Sequence, residues 1–312
     1  IKGTYNSVSL KNASGESPHQ ALRSFLMKVL NISDRELSRV AVSWFITLFA
    51  RIAFVIGWIL LTVLFVARFG ISFLQTLFIV NALFILLGSF IYSQLIPYVE
   101  KKLLLIITIL VAAIVLFVAS FFTHEHEMVY FTLLLSAESI FVTQLFILLG
   151  LFFEDIFSPL EGERVFPIIE SAETIGAIIA GLLISVMVPH YTVSSLIYIW
   201  ILMLCATIPI LLHYHTTTEK LPRLVKRAEE THPSSASGIF GRYREAVASI
   251  RKTPFLKGLV VIVLAQWIFF NIMEFQYIKG IEQNILKTQE ETLVENQNRI
   301  FRLRTRHSAR HQ

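Results

Sequence analysis

Seven long runs of apolar residues, each nearly free of charge, dominate this sequence. A run of about 20 apolar residues is long enough to cross the hydrocarbon core of a bilayer as an α-helix. Every backbone polar group must find a partner inside the membrane, so such runs are expected to be helical. Composition agrees, since 55% of the residues are hydrophobic and only 16% are charged. The sequence therefore predicts an all-α polytopic membrane protein.

The positions of the runs predict the domain organisation. Residues 1–39 are expected to form a cytoplasmic tail with a short interfacial helix, and residues 214–254 a basic cytoplasmic linker with an amphipathic helix. A seventh span is predicted over 255–277, before a polar and basic tail over 278–312. Between tail and linker, residues 40–213 are predicted to form a bundle with spans at about 40–66, 72–96, 103–122, 128–153, 165–188 and 193–212.

The basic residues predict the orientation of the chain. Most of them lie in the N-terminal tail, the second turn, the fourth loop and the linker, whereas the opposite turns hold only Arg68. The positive-inside rule then places the N-terminus in the cytoplasm, with the plasma (inner) membrane as the expected location. The net charge of +5 has the same origin. Nucleic acid is not an expected partner, because the basic residues are not interleaved with base-stacking aromatic residues.

Four polar side chains inside the spans are predicted to line a substrate or ion pathway: Arg51, Asn81, Glu138 and Gln144. A charge in mid-membrane costs about 2.5–3.5 kcal/mol on insertion scales, so it is expected to face a partner or a wet cavity. Arg51 is predicted to contact an anionic substrate group or to pair with Glu138, or else to reach the interface from the cytoplasmic third of its helix. Glu138 is predicted to be a counter-ion, a proton site or one half of a structural ion pair.

The stretch from Glu154 to Gly181 joins a charged loop to an apolar run that itself carries carboxylates. Pro167 is expected in the first turn of that helix. Small residues at a spacing of four are expected to let another helix approach closely, namely Gly176, Ala180 and Gly181. The predicted cytoplasmic gate consists of Asp155, Glu163, Arg164, Glu170 and Glu173, with headgroup contact as the alternative for one of the last two.

Several function classes lack support in the sequence. The single cysteine, Cys205, excludes an intramolecular disulfide and a cysteine-based metal cluster. The alternating His124–Glu127 turn is interpreted as solvated rather than metal-binding. No nucleophile and base pair, HExxH motif or phosphate loop is present, so an enzyme is not expected. No bound cofactor is predicted either.

Three passages resemble the major facilitator superfamily, and within it the ATP/ADP-antiporter-like branch. The resemblance covers about residues 36–283. It rests on ELSRVAVSWF with VARFGISFLQTLFIVNALFILLGSFIYSQL, on EDIFSPLEGERVFPIIESAETIGAIIAG, and on SGIFGRYREAVASIRKTPFLKGLVVIVLAQWIFFNIMEFQYIKGIEQ. It implies a twelve-helix transporter with two pseudo-symmetric halves, of which this chain, beginning at Ile1, is expected to be a fragment holding the first half and the start of the second.

The expected function is secondary transport by alternating access, with a nucleotide or another anionic metabolite as the substrate that the resemblance implies. The alternative is a transporter-like scaffold or sensor whose activity resides in modules beyond these residues. The spans contain Arg51 but no mid-span lysine, which favours that alternative. A seven-helix receptor is disfavoured, because its N-terminus would lie outside the cell.

Overall fold

The fold is known from a computed structural model that describes residues 34–122, 127–192, 195–218 and 252–308. Every regular element in these ranges is helical. Seven of the helices there are long and apolar enough to cross a membrane. The chain is therefore an all-α membrane protein. The predicted N-terminal interfacial helix, the turn at 124–126 and the amphipathic helix of the basic linker lie outside the described ranges.

The helices are numbered here in chain order. Short 3₁₀ turns at Ile71–Phe73 and Ser120–Phe122 precede α2 and follow α3 respectively. The helix α4 contains a π-helical segment, Ala137–Val142. The bounds are α1 Asp34–Phe69, α2 Leu74–Leu95, α3 Lys101–Ala119, α4 Glu127–Ile156, α5 Pro159–Met187, α6 Leu196–Thr218 and α7 Pro254–Ser308.

The helix α5 begins at Pro159 rather than near residue 165, where the sequence placed its start. Ser158 is its N-cap, and a capping box joins the Ser158 side chain to the backbone N–H of Glu161 and the Glu161 side chain to the backbone N–H of Ser158. These reciprocal bonds satisfy donors that a helix start leaves unpaired. As a result Pro167 lies inside α5 and not in its first turn. The charged loop is correspondingly short.

Two helices extend well beyond their predicted spans. The helix α1 has 36 residues and begins before residue 40, and α7 has 55 residues although its predicted span covered 255–277. At about 1.5 Å per residue both exceed a hydrocarbon core of about 30 Å. The sequence after Tyr277 contains few helix-breaking residues, which explains why α7 continues where the hydropathy falls. At its other end α1 stops at Phe69. The next residue, Gly70, has a φ of 81°, a conformation that glycine adopts easily.

The chain divides into two compact units. Among the described residues, the first contains 34–60, 88–122, 127–192 and 195–218, and thus most of α1, the end of α2 and all of α3 to α6. Within it α3 packs against α4 and α6. The side chains of Leu105, Leu116, Leu148 and Trp200 are fully buried in its core. This unit holds most of the predicted site residues.

The second unit contains, among the described residues, 61–87 and 252–308. Its described helices are the end of α1, the first part of α2 and α7. No residue of the most apolar stretch of α7 is buried. Exposed Val261, Ile262 and Phe269 are typical of a surface that meets lipid.

Candidate functional site

An ion pair joins the middle of α1 to α5. Arg51 Nη1 lies 3.6 Å from Glu173 Oε2, with 30% and 40% of the two side chains exposed. The guanidinium of Arg51 also lies over the rings of Phe54 and Phe146, at 5.1 and 5.8 Å from their centroids. Aromatic faces attract cations electrostatically. Arg51 therefore has a defined position between α1, α4 and α5.

Gly176 permits the close approach of α1 and α5 at this level. A Cβ atom there would lie 3.0 Å from both Arg51 Cβ and the carbonyl oxygen of Leu48. Ala180, one turn further, is fully buried. Gly181 lies outside this contact, because a Cβ at that position would meet no described atom within 4 Å. The small-residue face of α5 thus follows Gly176 and Ala180, and Gly181 is on another face.

A crevice of about 190 Å³ lies beside the ion pair. Its walls come from α1, α4 and α5, and they contain three carboxylates, those of Glu154, Glu170 and Glu173. The other lining residues are Thr47, Phe146, Leu149, Gly150, Phe153, Phe166 and Ile169. Two predicted gate residues therefore lie in one crevice, together with a third carboxylate that the sequence did not assign to the gate. The crevice is acidic, since its described lining holds three carboxylates and no Lys or Arg, and Arg51 beside it pairs with one of the three.

Glu138 lies deeper, in the π-helical segment of α4, and is only 1% exposed. A Cβ on Gly57 of α1 would overlap both the Glu138 carboxylate and the indole ring of Trp200 in α6. Neither carboxylate oxygen has a hydrogen-bond partner among the described residues. Arg51 acts on Glu138 through its charge, but its ion pair is with Glu173. The predicted Arg51–Glu138 pair is thus absent from this conformation.

Gln144 and Asn81 belong to different compact units. Gln144 is 1% exposed, and its Nε2 donates to Ser89 Oγ at 3.0 Å. Next to it Gly88 approaches Ile140, where a Cβ on the glycine would lie 3.1 Å from the Ile140 Cα. Gln144 therefore ties α2 to α4. Asn81 is buried in the part of α2 that belongs to the second unit.

The junction between α4 and α5 is held by Arg39 of α1. Its Nη1 donates to the carbonyl oxygen of Ile156 at 3.0 Å, and its Nη2 donates to Glu161 Oε1 at 3.1 Å. The guanidinium also lies 5.4 Å from the centroid of the Phe157 ring. Arg39 is 11% exposed at its side chain, so this pair is better shielded from water than a surface ion pair.

Two further ion pairs surround this junction. Arg164 Nη2 lies 3.4 Å from Glu36 Oε1, and Lys101 Nζ lies 2.7 Å from Asp155 Oδ1. Lys101 also donates to the carbonyl oxygen of Leu151 at 3.3 Å. Four of the five predicted gate residues therefore separate into two groups. Asp155 and Arg164 belong to these pairs at the junction, Glu170 and Glu173 line the crevice, and Glu163 is exposed.

The sequence reasoning missed the partners on the other helices, Glu36, Arg39 and Lys101. Glu36 and Arg39 were assigned to the tail because they precede the apolar run, yet they are three residues apart and face one way on a helix. The missed Glu161 had a readable signal. A Ser three residues before Glu with Pro between them predicts a capped helix start.

Comparison of the chain with protein-family models, curated proteins and solved structures found no match. Within the described ranges, no group of three or more His, Cys, Asp or Glu side chains is placed to hold a metal ion.

Proposed function

We propose that this chain is a membrane secondary transporter that works by alternating access. The sequence resemblance supports a place in the major facilitator superfamily, in the ATP/ADP-antiporter-like branch. The positive-inside pattern supports a cytoplasmic N-terminus in the plasma (inner) membrane. In such a transporter, bundles of helices rock around a site near the middle of the membrane.

The observation that carries the proposal is the crevice next to the Arg51–Glu173 ion pair. Charged side chains within membrane-spanning helices are costly and usually face a partner or a water-filled pathway. Here both partners are partly exposed, and the carboxylate of Glu173 lines the crevice. Charges that served only to join two helices would not need an accessible cavity beside them.

The charges of the crevice bear on the substrate class. The resemblance implies a nucleotide or another anionic metabolite. Three carboxylates against a single guanidinium would repel a polyanion, and like charges in a partly dry site repel strongly. The crevice in this conformation favours a substrate with a cationic group.

The second candidate, a transporter-like scaffold or sensor, is favoured by the lack of mid-span lysines. It differs from the first in one measurable respect, because it moves no solute across the membrane. The panel of solutes that tests transport therefore also separates these two functions.

The test is uptake into proteoliposomes that contain the purified protein. The panel contains ATP, ADP, a dicarboxylate, a primary amine and a quaternary amine. We expect Arg51→Ala to lower the uptake of the transported solute by about tenfold or more, the effect of losing ~1.4 kcal/mol. The physical reason is that Glu173 then loses its partner at the crevice wall.

Glu100→Gln is the matched control, since Glu100 is exposed and its side chain makes no cap hydrogen bond at the start of α3. We expect wild-type uptake from this variant. Uptake that is equal in Arg51→Ala and wild type would remove the ion pair from the mechanism. A wild-type protein that takes up nothing from the panel would favour the scaffold.

A further inference from the structure

Three buried polar groups, one each on α1, α4 and α6, have no hydrogen-bond partner among the described residues. They are both carboxylate oxygens of Glu138, Nε of Arg51 and Nε1 of Trp200. A buried polar group without a partner costs about 1–3 kcal/mol, and an ionised one costs more. The Arg51 and Trp200 N–H groups are donors and the Glu138 carboxylate is an acceptor, but no hydrogen bond connects them in this conformation.

On the side of Gly57 and Trp200, the Glu138 carboxylate has no room for another atom. Gly57 and Trp200 pack directly against the carboxylate, so that even one additional carbon atom on Gly57 would overlap it. An ionised carboxylate without partners is strongly disfavoured in such a place, whereas a protonated one carries no charge. A proton needs no space of its own, and it removes the charge that burial disfavours at Glu138.

Arg51 is the charged side chain that acts on Glu138 within the described residues. The other helices that pack here bring no charge to it. The helix α6 contributes Trp200, and α3, which packs along the π-helical segment, has ionisable side chains only at Lys101 and Lys102 in its first turn. The helix α2 meets that segment through Gly88.

The contact between Arg51 and Glu173 leaves Arg51 with donors to spare. At 3.6 Å its Nη1 is beyond the usual length of a charged hydrogen bond, about 2.7–2.9 Å. Its Nε–H is buried and unused. A guanidinium has five N–H donors, so the contact with Glu173 does not use up the hydrogen-bonding capacity of Arg51.

We infer that Glu138 is a proton-binding site and that Arg51 pairs with Glu173 when Glu138 is protonated and with Glu138 when the proton has left. On release, the O–H bond of Glu138 breaks and the proton passes to a water molecule. The new carboxylate attracts Arg51, and Glu173 becomes a free carboxylate at the crevice. This inference rests on the proposed transport function, because it couples proton release to the charge of the crevice.

The π-helical segment supplies the local freedom that such an exchange needs. Its wide turn interrupts the regular hydrogen bonding of α4 at Glu138, and π-helical turns are frequent at functional sites. The carbonyl oxygen of Glu138 accepts from the backbone N–H of Thr143, five residues later, and also from Thr143 Oγ1 at 2.9 Å.

The test is infrared difference spectroscopy of the purified protein during a pH titration. A protonated carboxylic acid has its own carbonyl band, and we expect one such band to be lost in Glu138→Gln. Glu138→Asp keeps a carboxylic acid at this position and should shift the frequency of the band. A shifted band assigns it to residue 138, whereas a band lost in Glu138→Gln alone could also come from a folding defect. No transport is needed for this measurement.

The exchange predicts opposite shifts in two variants. In Arg51→Ala the band should persist to higher pH than in the wild type, because the attracting cation is gone. In Glu173→Gln the band should disappear at lower pH than in the wild type, because Arg51 is then free to pair with Glu138. Glu100→Gln should leave the titration unchanged.

Absence of a Glu138 band at every pH would overturn the proton site. Shifts in the same direction, or none, in Arg51→Ala and Glu173→Gln would overturn the exchange. A protein that transports but fails these tests keeps the proposed function and loses this inference. A protein that shows the opposite shifts but takes up no solute supports the exchange and refutes the proposed function.

Discussion

At Gly57 the lack of a side chain decides the geometry of the site. The helix α1 is close enough there to Trp200 and Glu138 that no Cβ fits between them. Trp200 is fully buried and rigidly packed, so it cannot move aside as an exposed chain would. The close packing around Glu138 therefore depends on Gly57, a residue without a side chain.

We predict that Gly57→Ala destabilises the protein. The added carbon overlaps a buried ring, and overpacking of this kind costs about 1–3 kcal/mol. The measurement is the thermal unfolding midpoint of the detergent-purified protein. Gly181→Ala is the control, since its added carbon meets nothing within 4 Å in the described residues. It should leave the midpoint unchanged or raise it slightly, because alanine is the better helix former. Equal midpoints for Gly57→Ala and wild type would contradict the tight contact.

At the scale of the helix, the start of α5 determines which charges reach the crevice. The capping box fixes the first turn at Ser158, and Arg39 of α1 holds the same turn through Glu161. From this start the helix places Glu170 and Glu173 at the crevice, whereas Glu163, two turns before Glu170, is exposed and does not line it.

We predict that Ser158→Ala loosens the first turn of α5. Loss of an N-cap side chain costs about 1 kcal/mol. Amide hydrogen exchange in the first turn should become about fivefold faster, while exchange in α3 stays the same. Ser158→Asp retains an acceptor at the cap and should exchange at the wild-type rate. Equal rates in Ser158→Ala and wild type would show that Arg39 alone holds the junction.

At the scale of the whole molecule, the orientation in the membrane can be tested with the single native cysteine removed. In a Cys205→Ala background, Glu163→Cys should react with an impermeant maleimide in inverted vesicles and not in intact cells. Tyr191→Cys, in the exposed turn after α5, should show the reverse. This pattern is expected because the loops on the same side of the membrane as Glu163 hold the excess of basic residues, which the positive-inside rule places in the cytoplasm. The opposite labelling pattern would place the N-terminus outside the cell.

Hydropathy was sufficient to predict the class of the fold, because a bilayer leaves a long apolar run few alternatives to a helix. It was less informative about helix ends, which polar signals such as Ser158 and Glu161 determine. It also missed the continuation of α7, because a polar helix outside the membrane has no apolar pattern to show.

The sequence predicted which residues belong to the candidate site, but not how they are arranged. Arg51, Glu138 and Glu173 stood out as charges among apolar residues. Which of the two carboxylates Arg51 meets depends on the rotation and height of three helices, and a single sequence does not encode these in a local pattern. The π-helical turn at Glu138 also has no such pattern, although it changes the direction of every residue after it in α4.

The length of α7 has a mechanical consequence. Its candidate span ends at Ile281, and the same helix continues to Ser308. At ~1.5 Å per residue the continuation is a rod of about 40 Å, comparable with the full thickness of a bilayer. A rod of this kind is a lever, because a tilt of about 10° at the membrane displaces its far end by roughly 7 Å. A small tilt of the candidate span of α7 would therefore produce a larger displacement at the far end of the helix, where a water-soluble molecule could respond to it.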